Sequence, residues 1–228
     1  MALIDNCDGY YKLEADGTDS SGAIGTISGT APTFNTGKIG NGGDFASASS
    51  QFLESAAYVG GTSWTFNIWY NPTTNATNNP ISRDLVSGTS RVFNLSFTAN
   101  ATLFGWNASG SFHQTSGAAH GMSTGTWYMW TGRWNAATNV MSLFKNGVSF
   151  QTVATTGNAE DTSVKLSIGR AGDGTGYTNG KIDEPAIWSR AATDAEITTL
   201  YAAGSPGSAE QYPFGASSSN TSAFFQFL

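Results

Sequence analysis

The segment GKIDEPAIWSRAATDAEITTLYAAG, Gly180 to Gly204, constrains the fold more than any other stretch of the chain. Its first half alternates with the two-residue period of a strand: Ile182, Glu184, Ala186 and Trp188 against Asp183, Pro185, Ile187 and Ser189. Its second half opens on Thr193-Asp194-Ala195-Glu196, a capping box in which hydroxyl and carboxylate each satisfy an orphan N–H at a helix start. Ile197, Leu200 and Tyr201 follow at i, i+3 and i+4, and Gly204 stands where a glycine ends a helix. No other stretch signals a helix as clearly.

The composition points the same way. Only 11% of the 228 residues are charged, while Gly, Ser, Thr, Asn and Ala abound. That mixture suits many short strands joined by tight turns, so an all-β chain is expected over an all-α one. The length fits one large sandwich over residues 1–210, followed by a tail over 211–228. A net charge of −6 and a pI near 4.7 supply neither the electrostatic footprint of a nucleic-acid binder nor a basic run for anionic lipid. Cys7 is alone, which excludes a disulfide framework and a cysteine metal site and predicts an inert buried thiol. No apolar run approaches the roughly 18 residues of a membrane span, so no membrane insertion is expected. The opening MALIDNCDGYYKLE lacks the basic and apolar regions of a secretory signal.

Strand signals recur throughout. Gly9–Leu13, Gly42–Phe45 and Gln51–Glu54 are short candidates. Trp64 to Asn71 alternates cleanly, with Trp64, Phe66, Ile68 and Tyr70 on one face. Arg91–Phe97 and Ala101–Trp106 form a hairpin around Asn100; Trp127–Trp134 pairs with Val140–Lys145, after which Asn146-Gly147 is the strongest hairpin turn. Lys165–Arg170 precedes the Gly180 strand.

In order along the chain, these motifs closely resemble laminin-G-like domains of the concanavalin A-like lectin/glucanase superfamily. The resemblance rests on Tyr10-Tyr11-Lys12-Leu13 with the Asp19-Ser20-Ser21-Gly22 turn, on Gly37, Gly40 and Phe45, and on Ser63 to Pro72. It continues through Gly125-Thr126-Trp127, Leu143 to Gly147, Ile168-Gly169 and the closing strand and helix. Ala46 departs from it, standing where such domains carry aspartate after the Phe. The resemblance implies an antiparallel β-sandwich of jelly-roll type with one short C-terminal helix. It also implies a structural Ca2+ ion, for which Asp19, Asp183 and the Gly43–Asp44 backbone are the candidates, with Asp173 a second choice. Otherwise Asp19 makes a turn and Asp183 bonds local backbone.

Catalytic chemistry is mostly missing. Glycoside hydrolysis needs two carboxylates flanking the scissile bond, whereas Asp183 and Glu184 are neighbours on a strand and point to opposite faces. His113 and His120 sit in a Gly/Ser-rich loop without nearby carboxylates, which argues against zinc. No G-x-S-x-G elbow and no phosphate loop occur. Sugar binding needs aromatic faces beside amides or carboxylates. Trp64, Trp127, Trp130 and Trp188 are expected to pack in the core. The candidate carbohydrate-binding set is Trp69, Arg83, Asp84, Trp106, Asn107, Tyr177 and Asn179.

The tail ends in Phe224, Phe225, Gln226, Phe227 and Leu228, which either fold back on the sandwich or dock on a partner. Together with the leaderless start, this gives the expected function: a non-catalytic virion protein, such as a bacteriophage capsid decoration or tail-associated protein. It would carry a lectin-like sandwich for glycan or surface adhesion, with other virion proteins or self-association through the tail as partners. The expected localisation is the virion. The alternatives are a secreted or cell-surface bacterial carbohydrate-binding domain and a glycoside hydrolase.

Overall fold

Strands β1 to β14 in chain order, and one helix, make up the computed structural model, which describes residues 7–58, 60–84, 91–108, 111–115, 117–154, 164–172 and 174–204. One sheet runs β12 (Val148–Ala154), β11 (Val140–Lys145), β10 (Tyr128–Asn135), β5 (Trp64–Pro72), β14 (Gly180–Trp188), β3 (Asn41–Phe45), β2 (Thr33–Thr36). Its eighth strand, β1 (Cys7–Tyr10), pairs with the far half of β14. The second sheet runs β4 (Leu53–Glu54), β13 (Ser167–Ile168), β6 (Asn78–Asp84), β7 (Arg91–Phe97), β8 (Thr102–Ala108), β9 (Ser111–Gln114). All pairings are antiparallel. The fold is the expected sandwich.

Side chains from the two sheets meet in an aromatic core. On β5 the alternation places Trp64, Phe66, Ile68 and Tyr70 inward, against Phe93, Leu95 and Phe97 of β7 and Phe104 of β8. Phe66 stacks on Phe93 with centroids 4.6 Å apart, and Tyr70 on Phe97 at 5.6 Å. Each such side chain, fully buried, contributes about 1.5–3 kcal/mol. Gly132 lies opposite Phe66 in register, where a Cβ would stand 2.3 Å from the ring, so no larger residue fits. The Asn146-Gly147 turn joins β11 to β12 with φ of 53° and 78°, the left-handed pair that a two-residue hairpin requires.

The other face of the eight-stranded sheet is covered too. Helix α1 (Asp194–Ala203) lays Ile197 and Leu200 over Tyr10, Trp69, Met129, Phe144 and Trp188. Its capping box forms as expected: Thr193 Oγ1 accepts from Glu196 N at 3.2 Å, and Glu196 Oε2 accepts from Thr193 N at 2.7 Å. Gly204 has φ −79°, so left-handed freedom is not why glycine stands there. A Cβ would sit 2.2 Å from the Trp69 ring, and close approach is the reason. No helix among the described residues is long and apolar enough to cross a membrane.

Strand β14 departs from simple alternation. Its pairing with β5 slips between Asp183 and Ala186, and Glu184 takes φ 53°. This bulge inserts one residue. Ile182 and Ile187 therefore both face the inter-sheet core, while Ala186 and Trp188 face the helix.

Candidate functional site

The outward face of the six-stranded sheet is made by the residues that alternate with the core. Phe93, Leu95 and Phe97 point inward, which turns Asn94 and Ser96 outward. On β8, Phe104 points inward, leaving Leu103 and Gly105 on the outer side. With Asn79 of β6 and Gln114 of β9 they line a groove of about 340 Å³. Thr77 and the loop residues Ala171, Thr175 and Gly176 complete it.

The groove is built by side chains beneath it. Asp84, 2% exposed, accepts the Gly172 N–H at 2.6 Å and the Asn94 Nδ2–H at 3.0 Å, tying β7 to the loop after β13. A Cβ on Gly172 would stand 1.9 Å from the Asp84 carbonyl oxygen. Asn79 donates from its backbone N (3.2 Å) and its Nδ2 (2.9 Å) to the Gly176 carbonyl. The loop closes on itself through Ala171 N–H to Thr175 O and Gly174 N–H to Ala171 O, each 3.0 Å. Because a carboxylate only accepts, Asp84 fixes the Asn94 amide with its nitrogen toward Asp84. Asn94 Oδ1 is then enclosed, and none of the described residues donates to it. Among the described residues the lining offers hydroxyls, amides and small apolar surfaces, and no carboxylate or cation. Such a surface can exchange hydrogen bonds with a polyhydroxylated ligand; it lacks the paired carboxylates of glycoside hydrolysis.

Those acidic groups lie on the other sheet. The bulge puts Asp183 beside Trp69 in register and Glu184 against Tyr10, so both face the helix side, and the expectation of opposite faces is corrected. Asp183 is 0% and Glu184 1% exposed. Asp183 accepts the N–H groups of Lys38 (2.8 Å), Ile39 (2.9 Å) and Glu184 (2.9 Å). Glu184 accepts the Tyr10 O–H. Burial pushes both carboxyls up, and the Asp183 charge raises Glu184 further. The N–H donors oppose the shift at Asp183 without cancelling it, so the two carboxyls titrate as a coupled pair that holds a proton well above the ordinary carboxylate range. Sealed from solvent, the pair is scaffold.

The calcium candidates do not fit a cation. Asp19 Oδ1 accepts from Tyr10 N, Ser21 N and Ser21 Oγ, and its Oδ2 from Ile24 N and Gly25 N, all within 3.1 Å. Hydrogens converge where calcium needs oxygen lone pairs. These donors hold the Asp19 carboxyl below its usual range despite partial burial. Asp183 faces N–H groups likewise, Asp44 bonds Asn35 Nδ2 at 3.1 Å, and Gly43 sits in the sheet between β14 and β2. Among the described residues no three His, Cys, Asp or Glu side chains gather as a metal cluster. Asp173 lies outside them.

The expected sugar-binding residues scatter. Trp69, 2% exposed, lies under Tyr201, stacked at 5.7 Å, and under Lys38, whose ammonium stands 4.5 Å from its centroid; it offers no face to a ligand. Arg83, 1% exposed, donates to Tyr58 O at 2.6 Å and covers the Tyr58 ring, while Asp84 supports the groove without lining it. Asn179 pins Ser47 through N and Oγ at 2.9 and 2.6 Å, and half-buried Tyr177 lies 6.5 Å from Phe52. Trp106 and Asn107 are on β8, and their side chains lie outside the described residues, as do Phe224, Phe225, Phe227 and Leu228. The sequence reading missed Asn79, Asn94, Ser96 and Gln114. The Arg91–Phe97 run RVFNLSF held the signal, two polar residues alternating with three large apolar ones.

The chain belongs to the concanavalin A-like lectin/glucanases superfamily: a laminin-G family model matches residues 40–198, more than half of the chain. No curated protein sequence matches it. Among solved structures, it is similar to the binding domain of Paraclostridial Mosquitocidal Protein 1, with TM-score 0.70 and 14% identity over 87% of this chain and 52% of that one. Domain 4 of AbnA, a GH43 extracellular arabinanase from Geobacillus stearothermophilus solved with arabinotriose, gives 0.66 and 17% identity over 85% and 97%. The binding domain of botulinum neurotoxin DC, solved in complex with SialylT, gives 0.64 and 12% over 90% and 52%. The chain thus spans about half of the two toxin domains and nearly all of the arabinanase domain. At these identities the likeness is one of fold.

Proposed function

We propose that this protein is a non-catalytic glycan-binding module that takes its ligand on the outward face of the six-stranded sheet. The observation that carries the proposal is the groove of about 340 Å³, lined by amides and hydroxyls and braced from below by Asp84. Similar folds in complex with arabinotriose and with SialylT support the choice of ligand class. Against catalysis stand the absence of a carboxylate among the described lining residues and the sealed positions of Asp183 and Glu184. Adhesion as part of a virion is the setting proposed for this binding, and its motive is the aromatic end of the chain, Phe224 to Leu228.

The test is a glycan array probed with the wild-type protein and with Ser96→Trp, which fills the groove from a position that faces away from the core. Binding by wild type and its loss in Ser96→Trp is the expected result. Equal binding by both proteins would move the ligand elsewhere, and turnover of any bound glycan would end the non-catalytic reading. The virion setting is tested by co-sedimentation with purified particles, with and without residues 211–228.

A further inference from the structure

Resting on the reading of the groove as a glycan site, we infer that it takes a linear oligosaccharide laid across the strands, several sugar residues at a time, and not a single terminal sugar. Three observations carry this.

First, the lining comes from four adjacent strands. Asn94 of β7, Gly105 of β8 and Gln114 of β9 stand opposite one another in register and form one row across the sheet. Ser96 and Leu103 form the next row. Between the Asn78–Phe97 and Ile81–Leu95 pairs β6 carries one extra residue, which sets Asn79 against Ser96 and extends that row onto a fourth strand. With neighbouring strands ~4.8 Å apart, the three steps from β6 to β9 span about 14 Å. A single sugar ring is shorter than that, whereas a chain running perpendicular to the strands covers it.

Second, the chemistry changes along this line and then changes back. At β6 and β7 it is polar, with Asn79 and Ser96 and with Thr77 just before β6; at β8 it is Leu103 and Gly105; at β9 it is the Gln114 amide. Amides and hydroxyls exchange hydrogen bonds with sugar hydroxyls, and the apolar stretch between them seats the C–H face of a ring. A ligand that meets the whole succession carries hydroxyls at both ends and an apolar ring face in the middle. Consecutive residues of an oligosaccharide do so.

Third, the groove is held in shape by its own hydrogen bonds. Its floor belongs to paired strands, and the loop that walls its β6 end is tied down by the Gly172 N–H to Asp84 at 2.6 Å and by the two bonds from Asn79 to the Gly176 carbonyl. A surface ordered in advance adds little ordering cost to that of the ligand, so each further sugar residue in contact registers as affinity.

The experiment is calorimetric titration of wild type, Ser96→Trp, Thr77→Ala and Gln114→Ala, the last two at exposed positions near opposite ends of the groove. The ligands are ladders of cello-, xylo-, arabino- and galacto-oligosaccharides from monosaccharide to hexasaccharide, with a matching ladder of the glycan ranked first on the array. In the ladder that binds, wild-type affinity should rise roughly tenfold or more from the monosaccharide to the trisaccharide and then level off, and Ser96→Trp should abolish it. Thr77→Ala and Gln114→Ala should each weaken the trisaccharide several-fold, while the monosaccharide responds to at most one of them. A monosaccharide bound as tightly as the trisaccharide, still abolished by Ser96→Trp, overturns the extended ligand and leaves the glycan-binding groove standing. Length-dependent binding that survives Ser96→Trp, or no binding of any glycan by wild type, overturns the functional reading and this inference with it.

Discussion

Glu184→Gln removes a proton-binding site from a fully buried acidic pair, and the consequence is a change in the pH dependence of stability. Glu184 is 1% exposed and abuts Asp183, whose three N–H donors favour its anion. Burial and that neighbouring charge raise the Glu184 carboxyl to about 9. In the unfolded chain it returns to the ordinary value near 4.3. Between those limits the native state binds at least one proton more than the unfolded state, so stability falls as pH rises. It is fully present below the unfolded value and lost progressively up to the folded one. One proton corresponds to about 1.4 kcal/mol per pH unit, and the wild type should therefore lose about 3 kcal/mol or more from pH 6 to pH 8. Asp183 and Asp8, both raised by burial, push the same way; Glu196, lowered to about 2 by Arg190, and Glu54, lowered by Lys165 and Arg170, titrate below this window. The amide introduced by Glu184→Gln cannot titrate but still offers Tyr10 an acceptor. Urea unfolding followed by tryptophan fluorescence at pH 6, 7 and 8 should show a clearly flatter slope in the variant, by about 1 kcal/mol per unit. A wild-type stability that is level or rising across this range, or an identical slope in Glu184→Gln, would refute the assignment.

Trp69→Ala should cost about 3–5 kcal/mol, because the indole is buried beneath Tyr201 and Gly204. Glycan affinity measured below the lowered melting temperature should be unchanged. Thr193→Ala removes one half of the capping box and should cost about 1 kcal/mol in urea unfolding, with no effect on binding. Chelation by EDTA, or added calcium, should leave the melting temperature where it is, since the Asp19 oxygens face N–H and O–H donors; a calcium-dependent rise would contradict that geometry.

Local signals and the resemblance carried most of the fold. The capping box at Thr193, the alternation from Trp64 to Tyr70 and the Asn146-Gly147 turn each depend on neighbours in sequence, and each formed. What failed depended on tertiary placement. One extra residue at Glu184 reverses the face of everything after it on β14, and two-residue alternation has no means of registering a bulge. Trp69 alternates away from Phe66 as read, yet that face is covered by α1, so leaving the inter-sheet core did not mean meeting solvent. The groove draws its lining from β6 to β9 and a loop more than fifty residues further on, a juxtaposition that only the six-stranded sheet order creates.

Backbone and side-chain amide resonances, followed by NMR during titration with the tightest-binding glycan from the array, test the central claim most directly. Shifts concentrated at Asn79, Asn94, Ser96, Gln114 and Gly176, with Trp69 and Asp183 unmoved, are the predicted result. Saturable shifts confined to surfaces away from β6 to β9 would contradict it.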